Sequence, residues 1–265
     1  MVGIEKTVHI IPLGHEIDRA IIPFDKTKAD SVYILTNLKE GKSHDMGRQQ
    51  HHFTENVRKK LEAKGIEVIC ISVDLFDLPD VMKAISKIIV KEKESNNSIF
   101  VNMSAAGRLT SVAATLVGMA HDVKVYYVQA EKYPDDEKDR LKHGLSICSK
   151  GDIIRLTNFQ IVMPDPTDSE ILLFLSKTGK KARMTDLLEV LQKKKCEGFE
   201  ESFSKTKLTE KERKIQSKQL MKLDKRILPK LERDGFVKRA KEGRVVFISI
   251  TDSGKYAAYI SGKLE

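Results

Sequence analysis

Residues 99–120, IFVNMSAAGRLTSVAATLVGMA, pass without a break from a β-branched apolar run, through a turn of small and hydroxyl residues, into an alanine-rich helical pattern. A strand feeding a helix through such a turn is the repeating joint of an α/β domain. The turn itself, Asn102–Ser111, has the makings of an anion cradle. Ser104, Thr110 and Ser111 offer hydroxyls, Arg108 a charged fork, and the helix behind them its unpaired N–H groups and positive dipole end. The same residues also suit a buried strand that must simply turn tightly into a helix, and the turn alone does not choose between the two.

Outward from this joint the pattern repeats. Thr7–Leu13, Ser31–Thr36, Ile66–Ser72, Ile99–Met103 and Val123–Val128 are β-branched runs. Between them, Met46–Lys64 spaces Phe53, Val57 and Leu61 by four, and Leu78–Val90 and Leu109–Ala120 carry apolar residues at helical spacing. Strands apolar on both faces and alternating with helices predict a Rossmann-like, doubly wound, mainly parallel sheet. After Val128 the alternation stops. A charged loop (EKYPDDEKDR) leads to LSICS and DIIRL, two short runs about Lys150-Gly151 that predict an antiparallel hairpin added at the sheet edge.

Met163–Asp168 (MPDPTD) marks a boundary between a domain at 1–165 and one at 166–265. The second part reads as helices at Asp168–Lys177 and Met184–Lys193, the latter capped by Thr185. A polar stretch, Lys194–Gln216, follows as extended loop or extra helix. Ser217–Arg233 is then helical, with Leu220, Leu223, Ile227, Leu228 and Leu231 on one face, and stops at Asp234-Gly235. FVKRA and RVVFISI flank Lys241–Gly243 as a hairpin, and Thr251–Ser261 opens a last helix. Helices followed by a basic hairpin make the order of a winged helix-turn-helix.

Charge separates the two parts. Of 265 residues, 40% are hydrophobic and 32% charged, with net charge +9. Residues 1–166 hold 23 Lys+Arg and 23 Asp+Glu, whereas residues 167–265 hold 24 against 15, so the whole excess is in the second domain. A neutral domain joined to a basic one predicts a polyanionic partner for the latter, double-stranded DNA first. No apolar run reaches the roughly 20 residues of a membrane span, and the start, MVGIEKTVHIIPLG, lacks the marks of a signal peptide; the expectation is a cytoplasmic protein with no membrane partner. Cys70, Cys148 and Cys196 lie far apart, which predicts reduced core thiols and no metal pair.

In a sheet of order 3-2-1-4-5, ligands sit beyond the carboxyl ends of strands 1 and 4. Leu13–Arg19 (LGHEIDR) and Asn102–Ser111 (NMSAAGRLTS) land there. No G-x-G-x-x-G follows the first strand, no acid closes the second, and no G-x-x-x-x-G-K-[ST] occurs, which disfavours NAD, FAD and NTP. No cofactor or metal is expected; His51-His52 read as exposed helix surface. In the basic domain, Lys218, Lys222, Lys225 and Arg226 on the helix and Lys238, Arg239, Lys241 and Arg244 on the hairpin are the candidate phosphate contacts.

Taken with HIIPLGHEIDR, NMSAAGRLTS and LPKLERDGFV…TDSGK, the whole chain resembles CARF (CRISPR-associated Rossmann fold) proteins joined to a winged helix, archaeal regulators with a sensory and a DNA-reading domain. The resemblance implies two such domains pairing about a two-fold axis to bind a cyclic oligoadenylate as effector. By position, the ligand contacts it implies are Gly14, His15 and Asp18 from the first loop and Asn102, Ser104, Ala105, Ala106, Gly107 and Arg108 from the second. The commoner family pattern has a second glycine followed by Thr-Lys or Thr-Arg; here Gly107 precedes Arg108 and Leu109. The expected function is a homodimeric, ligand-responsive transcription regulator. The alternative is a metal-independent ring nuclease using His15, Ser104 and Arg108.

Overall fold

The structure is a computed structural model that describes residues 4–37, 44–159, 161–202, 208–243 and 245–264. It divides into two compact units, Met1–Ile161 and Val162–Glu265.

The first unit is built on β1 (Thr7–Pro12), β2 (Ser31–Thr36), β3 (Glu67–Ser72), β4 (Ser98–Asn102), β5 (Lys124–Val128) and β6 (Ile153–Arg155), in the spatial order β3-β2-β1-β4-β5-β6. The first five are parallel, and β6 runs antiparallel to β5. Chain order moves one way from β1 to β3 and back across β1 to β4, so right-handed crossovers put helices on both faces. Phe53, Val57 and Leu61 of α2 (His44–Glu62) join Ile11, Leu13, Val32 and Ile34 in one buried cluster. Val81, Met82, Ile85 and Ile89 of α3 (Leu78–Glu94) and Ala113, Ala114 and Val117 of α4 (Arg108–Ala120) are buried as well. The short α5 (Glu137–His143), capped by Asp136, has no buried residue and leads into Gly144. The doubly wound, mainly parallel Rossmann-like sheet is therefore present, and its reversal point lies between β1 and β4.

Two local expectations change, and the loops after β1 and β4 differ. The loop after β1 enters α1 (Asp18–Ile21), only four residues long and continued by a 3-10 turn at Ile22–Asp25, so it has little helix dipole to offer an anion. The edge hairpin is reduced to β6; Leu145–Ser149 instead runs beside Glu131–Lys132, where Ile147 and Lys132 exchange backbone hydrogen bonds. Cys70 is exposed because β3 is an edge strand, while Cys148 is buried and Cys196 half-buried; all are free thiols.

The second unit comprises α6 (Pro166–Thr178), β7 (Ala182–Arg183), α7 (Met184–Lys193), α8 (Glu210–Lys222), α9 (Leu228–Arg233), β8 (Val237–Glu242), β9 (Val245–Ile250) and α10 (Asp252–Ile260). Its sheet has the order β7-β9-β8. Ile171, Leu172, Leu187, Leu188, Leu191, Leu223, Leu228, Leu231 and Ile248 form the core. Thr185 does not cap α7. Arg183 holds that place, and Asp186 Oδ2 accepts its backbone N–H at 2.9 Å. Helices α8 and α9 are one run interrupted by a π turn, Leu223–Ile227, in which the Leu228 N–H reaches back to the Leu223 carbonyl. Pro229 explains the wide turn, since it lacks an N–H and its ring crowds the carbonyl four residues back.

Candidate functional site

The loops after β1 and β4 meet. The Gly14 N–H donates to the Ala105 carbonyl at 2.8 Å, which ties the two ends together at the sheet's reversal point. Arg19 adds a second tie. Its guanidinium donates to the Ser104 carbonyl at 3.1 Å and the Tyr127 hydroxyl at 2.9 Å, and lies over the Tyr127 ring at 5.1 Å from the centroid. Gln50 Nε2 of α2 donates to the Leu13 carbonyl at 3.0 Å.

Several predicted contacts face inward. Asn102 is fully buried; its Nδ2 donates to the Arg19 carbonyl at 2.9 Å, and its Oδ1 accepts from the Ser104 backbone and from Ser104 Oγ at 2.6 Å. Ser104 Oγ also accepts the Val128 N–H at 3.1 Å. The hydroxyl is spent on the fold, and Ser104 is not placed to act on a ligand. Asp18 Oδ2, likewise buried, accepts from Cys148 N at 3.0 Å and lies 2.9 Å from His143 Nδ1. Thr110 donates to the Leu75 carbonyl and Ser111 to the Gly107 carbonyl, so neither is free for an anion. Asp18, Asn102 and Ser104 are thus bonded within the fold, and Ala105 is buried as well.

What faces outward is smaller and chemically coherent. Gly107 and Arg108 are exposed and Gly14, His15 and Ala106 half-buried. Gly107 is the N-cap of α4 and has no side chain to spend on the first-turn N–H groups, and the exposed Arg108 follows it. His15 stacks on Phe53 at 4.9 Å, and burial, aided by the Arg140 charge, lowers its pKa. The arrangement offers backbone donors, one guanidinium and a neutral imidazole, a set suited to a phosphodiester.

Beneath His15 lies Glu16, which sequence reasoning treats only as a neighbour. It is buried; Oε1 accepts from Ser146 Oγ at 2.8 Å, Arg19 stands 3.5 Å away, and Oε2 has no partner. Burial pushes its pKa up to about 7 against the pull of Ser146 and Arg19, with Asp18 adding to the rise. Its folded pKa is raised above the unfolded one, so its contribution is full below about pH 4.5 and lost as pH rises to about 7. Glu16→Gln is expected to flatten this fall, which denaturant titrations of both proteins between about pH 5 and 8 will measure. Equal pH dependence in the two would sink the assignment. Glu16, Arg19, Gln50, His143 and Ser146 form the support of the loops; the sole trace of them in the sequence is charge inside the otherwise buried stretch GHEIDRAI.

In the basic unit, Lys218, Lys225, Arg226, Lys238 and Lys241 are exposed. Three predicted contacts have partners, the exposed Lys225 pairing with Asp224 at 3.3 Å. Lys222 Nζ donates to the Glu197 carbonyl at 2.8 Å and lies over the Phe199 ring. Arg239 pairs with Glu232 at 2.7 Å and Asp224 at 3.6 Å, bracing the hairpin against α9 and the π turn. Arg244 lies outside the described residues. His51 and His52 are exposed on α2, and no cluster of metal-ligating side chains occurs among the described residues. Among those residues no helix is long and apolar enough to cross a membrane.

Known families divide the chain in the same way. The family model "HFX_2341_N:-like, N-terminal" matches residues 7–133. "DUF6293 C-terminal winged helix domain" matches residues 167–262. The chain is 27% identical over 150 residues to the uncharacterized protein MJ1513 of Methanocaldococcus jannaschii, a match covering 52% of this chain and 42% of that protein. Among solved structures, Enterococcus italicus Csm6 bound to cyclic hexa-2'-fluoro-hexa-dAMP is similar at 15% identity and TM-score 0.44, over 87% of this chain and 56% of that one. Protein VC1899 from Vibrio cholerae is similar at 12% identity and TM-score 0.42, over 97% and 66%. One family model thus matches within the Rossmann-like unit and the other within the winged helix unit, and neither spans half of the chain.

Proposed function

We propose that this protein is a homodimeric regulator whose Rossmann-like domain senses a cyclic oligoadenylate and whose winged helix binds double-stranded DNA. The observation that carries the sensing half is the junction of the two loops through Gly14 and Ala105, which ties the loop of His15 to the loop of Gly107 and Arg108 that opens α4. That set matches a phosphodiester, and the resemblance of LGHEIDR and NMSAAGRLTS to CARF loops supplies the ring-shaped ligand.

The outward face of α4 supports a second copy. Leu109 (61% exposed), Val112 (51%) and Leu116 (37%) make an apolar stripe, and Phe76 (78%) stands near its start, where Thr110 bonds the Leu75 carbonyl. A second subunit on this uncharged face would bury it and bring two half-sites together about one axis, matching a symmetric ring and two DNA half-sites. Effector would alter DNA affinity through unequal affinity for DNA-competent and incompetent arrangements. Calorimetric titration with cyclic tetra- and hexa-adenylate is expected to give saturable heat that Arg108→Ala weakens about tenfold. Absence of heat with both rings would remove the sensor reading.

One observation favours cleavage of the same ligand. His15 is held toward its neutral form, in which imidazole accepts a proton. With Ser104 spent on the fold, a ring nuclease would rest on His15 and Arg108 alone. Labelled cyclic oligoadenylate that stays intact on incubation would dispose of it.

A further inference from the structure

A cavity of about 80 Å³ opens beside β1, β4, β5 and β6, lined by His9, Phe100, Tyr126, Lys28, Lys124 and Arg155 among others. His9 and Lys124 stand toward the amino ends of β1 and β5, away from the Gly14 and Gly107 loops. The walls are of one chemical kind, with three cations and no acidic side chain lining the space.

His9 is only 4% exposed and rigidly held, its ring stacked on Phe100 at 4.8 Å and set edge-on to Tyr126. Its Nδ1 is spent on the Tyr126 hydroxyl at 3.0 Å, so Nε2 is the polar edge that remains for the cavity. Lys28, Lys124 and Arg155 are exposed, and none has an ion-pair partner among the described residues. Lys124 Nζ lies over the Phe100 ring at 4.8 Å, an arrangement that holds the ammonium group against the cavity wall. Three cations line the cavity and no carboxylate does, so an anion entering it meets positive charge alone. The volume limits which anion, since pockets for drug-sized ligands begin near 300 Å³. A group of a few atoms fits here and a whole nucleotide does not.

We propose that this cavity is a second anion site of the Rossmann-like domain, built for one phosphate-class oxyanion, supplied as inorganic phosphate or as the terminal phosphate of a nucleotide. The site does not depend on the effector loops and stands whether or not they bind a cyclic oligonucleotide.

Calorimetric titration of the full chain with inorganic phosphate, and separately with AMP, at constant ionic strength, tests it. At least one probe is expected to bind saturably, and the Lys124→Ala/Arg155→Ala double variant to weaken that binding about tenfold or more. Both side chains are exposed, so the variant should melt with the parent, which circular dichroism checks. Tighter phosphate than AMP identifies the free ion, and the reverse identifies a nucleotide; both support the site. No saturation by either probe up to about 10 mM would overturn it. So would saturation that survives the double variant.

Discussion

Replacing Gly144 by alanine is expected to destabilise the Rossmann-like unit by about 3 kcal/mol or more. Two costs add. Gly144 has φ 90° and ψ −155°, a region that side-chain-bearing residues all but avoid. A Cβ there would also stand 2.6 Å from Glu16 Cα, 2.6 Å from the Ile17 nitrogen and 2.8 Å from the His15 carbonyl oxygen. All three are backbone atoms, so no side chain can swing aside. At about 2–4 °C per kcal/mol for a unit of this size, the melting transition should fall by about 6–12 °C in calorimetry. The clash falls on the loop that carries His15. Gly144 bridges Glu16, Leu145 donates to the His15 carbonyl, and Ile17 donates to the His143 carbonyl. Any binding at the Gly14 and Arg108 loops should therefore weaken in the same variant. A normal melting transition in Gly144→Ala would refute this anchoring of the loop.

The second large effect concerns salt. With Lys218, Lys225, Lys238 and Lys241 all changed to alanine, the slope of log affinity for duplex DNA against log salt should flatten by about 0.9 for each phosphate that is no longer neutralised. Fluorescence anisotropy across a NaCl series measures that slope, and parallel lines for parent and variant would exclude this surface as the DNA face. Arg239→Ala should behave differently. It frees Glu232 and leaves Asp224 paired with Lys225 alone, so its effect should appear in the melting of the winged helix and leave the salt slope nearly intact.

The fold is legible because its signals are local. Strand runs such as SVYILT are apolar on both faces, and β2 is buried along its whole length; helix periods such as Phe53, Val57 and Leu61 face the same core. Strand order alone places the two loops at the reversal point. It does not say which of their side chains turn inward. Asp18 meets His143 and Cys148, which lie 125 and 130 positions away, and no periodicity carries information over that distance. The same holds for Arg239, which reads as one more cation in a basic hairpin until the fold sets Glu232 and Asp224 beside it. The shortness of α1 is hidden for another reason. Ile17, Ala20 and Ile21 have helical spacing, but Pro23 follows at once and redirects the chain into a 3-10 turn.

The wide turn ahead of Pro229 acts as a phase setting for the helix before it. One surplus residue in a turn rotates everything upstream by about 100° relative to regular winding. Gln219, whose amide meets Gln192 at 2.8 Å, owes its azimuth to that offset. Lys218 and Lys225 consequently do not lie along one meridian, and counting by threes and fours through Leu223–Ile227 misdirects the eye. A single proline thereby decides the compass bearing of the thirteen residues of α8 without touching one of them.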